Sequence, residues 1–202
     1  MSSVLLLLSS PRGAASHSSK VARELAARWL ARHPGSRLTV RDLAHEPLPH
    51  IGEAYVTGRK LPESQRTLQQ QAAVAISDRL INELHSHEVL IVASSMINFS
   101  MSSTLKAWFD YVLRSGVTFR YEDGSPVGMV LGKRVYLVQA RGADYSQAPY
   151  QANDFQQPLI RVLLGYMGMT ICKTFNIEGV AFGAEAAEQN VLNQVATLPE
   201  LT

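Results

Sequence analysis

A chain of 202 residues with 19 lysines and arginines, 17 aspartates and glutamates and a formal charge of +2 carries no like-charge run that would track a phosphate backbone, which excludes nucleic acid as an expected partner. The length suits a single domain, residues 1–202, able to bury roughly 70% of its unfolded surface without a covalent staple. One cysteine, Cys172, rules out an intrachain disulfide and a cysteine-built metal site, so no metal is expected; Cys172 itself reads as a small core residue in a reducing compartment.

Val4 to Leu8 reads as a buried first strand. The run Leu5 to Leu8 is too short for a signal-peptide core or a membrane span, and no lysine or arginine precedes it, so a cytoplasmic protein is expected. The loop Ser9-Ser10-Pro11-Arg12-Gly13-Ala14-Ala15-Ser16-His17-Ser18-Ser19 follows, and Val21, Leu25, Trp29 and Leu30 stripe a helix that stops near His33-Pro34-Gly35. Leu38 to Val40 gives a second strand, and residues 45–64, with Pro47, Pro49, Gly52, Gly58 and Pro62, read as irregular. Gln65 to His85 has helical spacing and leads into a third strand from Val89 to Ala93.

After the polar loop Ser94 to Ser100, Leu105, Trp108, Phe109, Val112 and Leu113 repeat at helical spacing to about Arg114. Trp108, Phe109, Tyr111 and Val112 give that helix more apolar perimeter than one sheet face needs, which points to a partner and a dimer. Val117 to Val130 alternates aromatics with charges around Asp123-Gly124 and reads as an inserted hairpin. Val135 to Ala140, Gln157 to Met167, Thr170 to Ile177 and Ala184 to Ala196 complete an alternation of strand and helix. Alternation implies parallel pairing and a doubly wound five-stranded α/β sheet in the order 2-1-3-4-5.

In that order the loops after the first, third and fourth core strands line one crevice at the carboxyl edge. They offer amides, the hydroxyls of Ser10, Ser16, Ser18 and Ser19, one asparagine (Asn98), aromatic and thioether surface, and few titratable groups. Free amides at a helix start favour an anion, and the whole inventory suits a flat, polar-edged cofactor that performs the chemistry itself. The first loop lacks Gly-x-Gly-x-x-Gly and Gly-Lys-Ser/Thr, so those two nucleotide cradles are not supported. Two rival readings remain: Ser103-Thr104-Leu105-Lys106 satisfies the Ser-x-x-Lys pattern of a serine acyl-enzyme, and a crevice alone also suits a non-catalytic electron carrier or binding module.

Ser9-Ser10, Ser16-His17-Ser18, Met96-Ile97-Asn98-Phe99-Ser100, Leu105-Lys106, Gly116-Val117-Thr118-Phe119-Arg120-Tyr121, Ala140-Arg141-Gly142 and Glu178-Gly179 occur in this order along nearly the whole chain. Together they resemble the bacterial FMN-dependent NAD(P)H azoreductases, a family also similar to the eukaryotic quinone reductases. The resemblance implies a flavodoxin-like fold, a homodimer with FMN at each subunit interface, and hydride transfer from NADH or NADPH to quinones and azo compounds. It assigns the FMN phosphate to Ser10, Ser16, His17 and Ser18 and the ring to Ser95, Met96, Ile97, Asn98, Phe99, Ala140, Arg141 and Gly142. Phe99 and the partner's Tyr121 would wall the substrate pocket. Apart from the resemblance, Arg59 and Lys60 in the irregular loop read as surface charge by default, with contact to a nicotinamide phosphate or a substrate as the alternative.

The family loop usually reads Pro-Met-Tyr-Asn-Phe; here Ser95 stands for the proline and Ile97 for the tyrosine. Ser95 leaves φ unfixed and Ile97 removes an aromatic and a hydroxyl from the ring site. Ala140 replaces the usual serine and Ala143 the second glycine.

Overall fold

The computed structural model describes residues 3–199. Its parallel sheet comprises β1 (Ser3–Leu8), β2 (Arg37–Asp42), β3 (Val89–Ser95), β6 (Arg134–Ala140) and β7 (Ile171–Ile177), in the order β2-β1-β3-β6-β7. This is the expected 2-1-3-4-5 arrangement, because the hairpin strands β4 (Phe119–Glu122) and β5 (Ser125–Gly128) form a separate antiparallel pair. Helices α1 (His17–Arg32), α2 (Glu53–Gly58), α3 (Leu68–His85), α4 (Ser103–Val112), α5 (Gln156–Tyr166) and α6 (Val180–Ala196) fill the crossovers.

The sheet has a core on each side, which explains the unbroken apolar runs of its central strands. Leu5, Leu7, Leu90, Val92, Val135 and Leu137 face α3, α4 and α5 through Leu80, Trp108, Phe109, Ile160 and Leu164. The alternate residues Val4, Leu6, Ile91, Ala93, Tyr136 and Val138 face α1 and α6 through Leu25, Trp29, Val191 and Val195. Side chains capture the orphan amides at the helix starts: Ser19 N donates to Ser16 Oγ, and Leu105 N donates to Ser102 Oγ. Thr67 and Gln70 form a reciprocal capping box at the start of α3.

Four expectations are corrected. The irregular stretch 45–64 contains α2, which anchors Tyr55 in the core with its ring 5.0 Å from that of Tyr111. Trp108, Phe109, Tyr111 and Val112 form no external face: all four are at most 2% exposed, because α2 and α3 cover the side of α4 that the sheet leaves open. Cys172 is exposed, as is Lys173 on the opposite face, since the first half of the edge strand β7 is left largely uncovered. The closing helix starts at Val180 instead of Ala184, with a non-helical Gly183 marking the break that hides its first turn from a periodicity reading.

The hairpin turns on Asp123 and Gly124, both at positive φ, as an Asp-Gly turn requires. It docks by backbone: Val130 N donates to Met167 O at 2.8 Å, and a Cβ on Gly128 would lie 2.0 Å from Gly168 N.

Candidate functional site

The carboxyl ends of β1, β3, β6 and β7 surround a recess of about 280 Å³. Ser10, His17, Ser95, Met96, Ile97, Ala140 and Gly142 line it, so seven of the expected site residues converge. Pro11, Arg12, Val180 and Ala181 line it as well and were not singled out. Arg12 had a legible signal, a cation inside the serine-rich loop. Val180 and Ala181 had none, because only the fold brings the start of α6 to the edge.

One end of the recess is built for an anion. The His17 and Ser18 amides at the start of α1 donate to no described residue, and Arg12 stands beside them. Ser16 Oγ lies 3.3 Å from Ser18 Oγ, and Ser18 Oγ lies 3.2 Å from Ser95 Oγ, which ties this end to the β3 loop. The His17 imidazole is already engaged: its Nδ1 is 2.6 Å from the Glu188 carboxylate on α6, and Lys20 Nζ is 3.8 Å from the same oxygen. His17 therefore offers its amide to a ligand more readily than its ring.

At the other end Ile97 leads out of the recess into a strained turn, whose Asn98 and Phe99 do not themselves line it. Ile97 and Ser100 exchange backbone hydrogen bonds of 2.8 and 3.1 Å, which forces Asn98 to φ +45° and Phe99 to φ +72°. Both angles positive is the signature of a type I′ turn, and a bulky residue such as Phe99 in that region costs about 1–3 kcal/mol. The turn leaves the Asn98 and Phe99 amides without an acceptor among the described residues and exposes the Phe99 ring. The Phe155 amide at the start of α5 donates to Phe99 O at 3.0 Å and holds the turn in place.

Arg141 is where its backbone was expected, but its side chain turns inward and is 1% exposed. It pairs with Glu178 at 2.9 Å and Asp154 at 3.0 Å and donates to Gln139, Gln156 and Gln157. Gln156 in turn donates to Ser94 at 2.9 Å, so this buried cluster joins the ends of β3, β6 and β7 to the start of α5. Burial pushes the Glu178 carboxyl above the usual glutamate range, against the opposing pull of the Tyr145 amide and of Arg141.

Other expected positions fall elsewhere. Arg59 caps the end of α2, 5.9 Å above the Tyr55 ring, and lines no part of the recess; Tyr121 stands exposed on the hairpin. Lys106 is ion-paired with Asp110 and Ser102 caps α4, so the Ser-x-x-Lys run is a capped helix start and not a nucleophile with its base.

The arrangement suits an elongated ligand with an anionic group at one end and a flat, polar-edged ring at the other. A family model described as a flavodoxin-like fold matches residues 2–201. The FMN-dependent NADH:quinone oxidoreductase of Mesorhizobium japonicum is 46% identical over 184 residues, 91% of this chain and 88% of its own length. FMN-dependent NADH:quinone oxidoreductase 1 of Burkholderia lata is 42% identical over 188 residues, 93% of this chain and 91% of its own. An azoreductase structure from Bacillus anthracis is similar with a TM-score of 0.89 at 27% identity, covering 97% of each chain.

Proposed function

The chain belongs to the flavodoxin-like fold family whose model spans it, and from that membership we propose that it is an FMN-dependent oxidoreductase passing hydride from NADH to quinones and azo compounds. Relatives named for that reaction support the reading. The observation that carries it is the recess itself, with unpaired amides and a cation at one end and the strained amide-bearing turn at the other.

The residues fit FMN. The phosphate takes the hydroxyls of Ser10, Ser16 and Ser18, the amides of His17 and Ser18, and the charge of Arg12. A Cβ on Gly142 would meet nothing within 4 Å, so this glycine keeps the recess open where a ring must enter. Met96 and Ile97 offer a surface for the ring, and the Asn98 and Phe99 amides meet its polar edge. FMN held there would supply the redox chemistry, hydride transfer between nicotinamide and acceptor. Among the described residues no hydroxyl of the recess is hydrogen-bonded to a base; the protein orients the ring, excludes water and presents fixed amide dipoles.

The functional unit is a homodimer. Phe99, Phe155, Val162, Tyr166 and Tyr121 are exposed, and they run from the mouth of the recess along α5 to the hairpin, where Phe119 contacts both Tyr166 and Tyr121. Such a strip marks an interface, and a second subunit on it brings Tyr121 of the partner subunit over the recess. The exposed Cys172 thiol suits a reducing, cytoplasmic location.

Donor and acceptor share one recess in turn. Steady-state oxidation of NADH by a small benzoquinone, with FMN and no other protein, is expected to give parallel double-reciprocal lines. Intersecting lines contradict the shared recess, and failure to oxidise NADH without a protein partner reassigns the chain as an electron carrier.

A further inference from the structure

A larger cavity, about 770 Å³, adjoins the recess and meets it at Ser10, Pro11 and Ile97, which line both. Beyond those shared residues its walls take no part in the FMN recess. Its volume lies within the range of sites that enclose a ligand of a few hundred daltons.

Its walls have a definite chemistry. Lys20 and Arg23 project from the exposed face of α1, and Arg23 makes no ion pair among the described residues. Opposite stand Ser103 and Thr104 in the first turn of α4, whose positive end favours an anion. Asp42 closes the third side at the carboxyl end of β2. One of its oxygens accepts the Ala44 and His45 amides at 3.1 and 3.2 Å; the other takes no hydrogen bond from the described residues.

In dinucleotide-binding doubly wound sheets an acidic residue near the end of the second strand holds the ribose hydroxyls; Asp42 occupies that place here without the Gly-x-Gly-x-x-Gly loop, so a pyrophosphate must be met by other groups. Cations and a helix start across the same cavity suit a pyrophosphate. We propose that this cavity binds the adenosine diphosphate half of the dinucleotide donor, with Asp42 on the ribose hydroxyls and Arg23, Lys20 and the start of α4 on the pyrophosphate. The inference rests on the NADH-dependent reading above and adds its donor specificity. A 2′-phosphate placed beside Asp42 meets a like charge, so the chain prefers NADH to NADPH.

The test uses the FMN-loaded protein and ADP-ribose, which carries the adenylate half but no nicotinamide. Calorimetry is expected to show ADP-ribose binding, about tenfold weaker in Arg23→Glu, where a surface cation is reversed without disturbing the core. Wild type discriminates against 2′-phospho-ADP-ribose, and Asp42→Asn, which retains the oxygen that caps the Ala44 and His45 amides, narrows that gap about tenfold. In flavin reduction, the advantage of NADH over reduced nicotinamide mononucleotide, which lacks the adenylate half, shrinks by a similar factor in Arg23→Glu. If NADH bleaches the flavin but ADP-ribose does not bind, or binds equally to Arg23→Glu, the inference is overturned and the oxidoreductase reading stands. If ADP-ribose binds and Arg23→Glu weakens it while NADH fails to bleach the flavin, the adenylate site stands and the oxidoreductase reading falls.

Discussion

Arg141 carries one positive charge between two carboxylates and three amide side chains, so the effect of replacing it depends on what is left behind. Arg141→Ala strands Asp154 and Glu178, each under a fifth exposed, and should destabilise the fold by about 3–5 kcal/mol in urea denaturation. Arg141→Lys supplies the charge without the planar fork and is expected to recover only part of that loss. Glu178 adds a pH signature. Its carboxyl titrates above the ordinary 4.5 in the folded chain, so the folded state holds the proton longer than the unfolded state, and the associated stability is present in acid and lost as pH rises. The stability of wild type relative to Glu178→Gln should therefore fall as pH rises from below 4.5 toward neutrality; a wild type that gains on the variant with rising pH contradicts this assignment. The sequence marks Arg141 as a site residue, but not that its side chain faces inward. Its carboxylate partner Glu178 lies 37 residues away and is brought close only by the parallel register of β6 and β7.

At the scale of elements, the turn from Ile97 to Ser100 and the docking of the hairpin both rest on backbone geometry. Phe99→Gly relieves the positive φ and removes an exposed ring, so thermal stability should hold or rise by about 1 kcal/mol while FMN affinity falls. A clear loss of stability would mean that the turn is not strained. Gly128→Ala places a methyl where Gly168 backbone already stands, and an overpacking loss of about 1–3 kcal/mol or more is expected from its denaturation midpoint. Periodicity identifies the elements that alternate cleanly, but hides one short helix and the start of another. The six-residue α2 is hidden among prolines and glycines, and α6 begins before the break at Gly183. The apolar perimeter of α4 was legible, but its meaning was not: a helix apolar all round is a partnered helix or a buried one, and α2 and α3 make it buried.

For the whole molecule, the central strands were legible because β1, β3 and β6 carry unbroken apolar runs, Val4 to Leu8, Val89 to Ala93 and Val135 to Val138, as strands covered on both faces do. The interface was not legible in the same way. Its proposed strip draws Phe99, Phe155, Val162 and Tyr166 from two loops and a helix that meet only in the fold. Light scattering should find a dimer in wild type, and Val162→Glu should shift it to monomer with a parallel loss of FMN affinity; a monomer that still binds FMN and turns over contradicts the shared recess. The central claim is tested most directly by the visible spectrum of the protein reconstituted with FMN, followed under anaerobic NADH addition. The recess predicts bound flavin bands that bleach with NADH and return when a quinone is added. A protein that takes up no FMN, or whose bound flavin NADH leaves oxidised, would contradict the account.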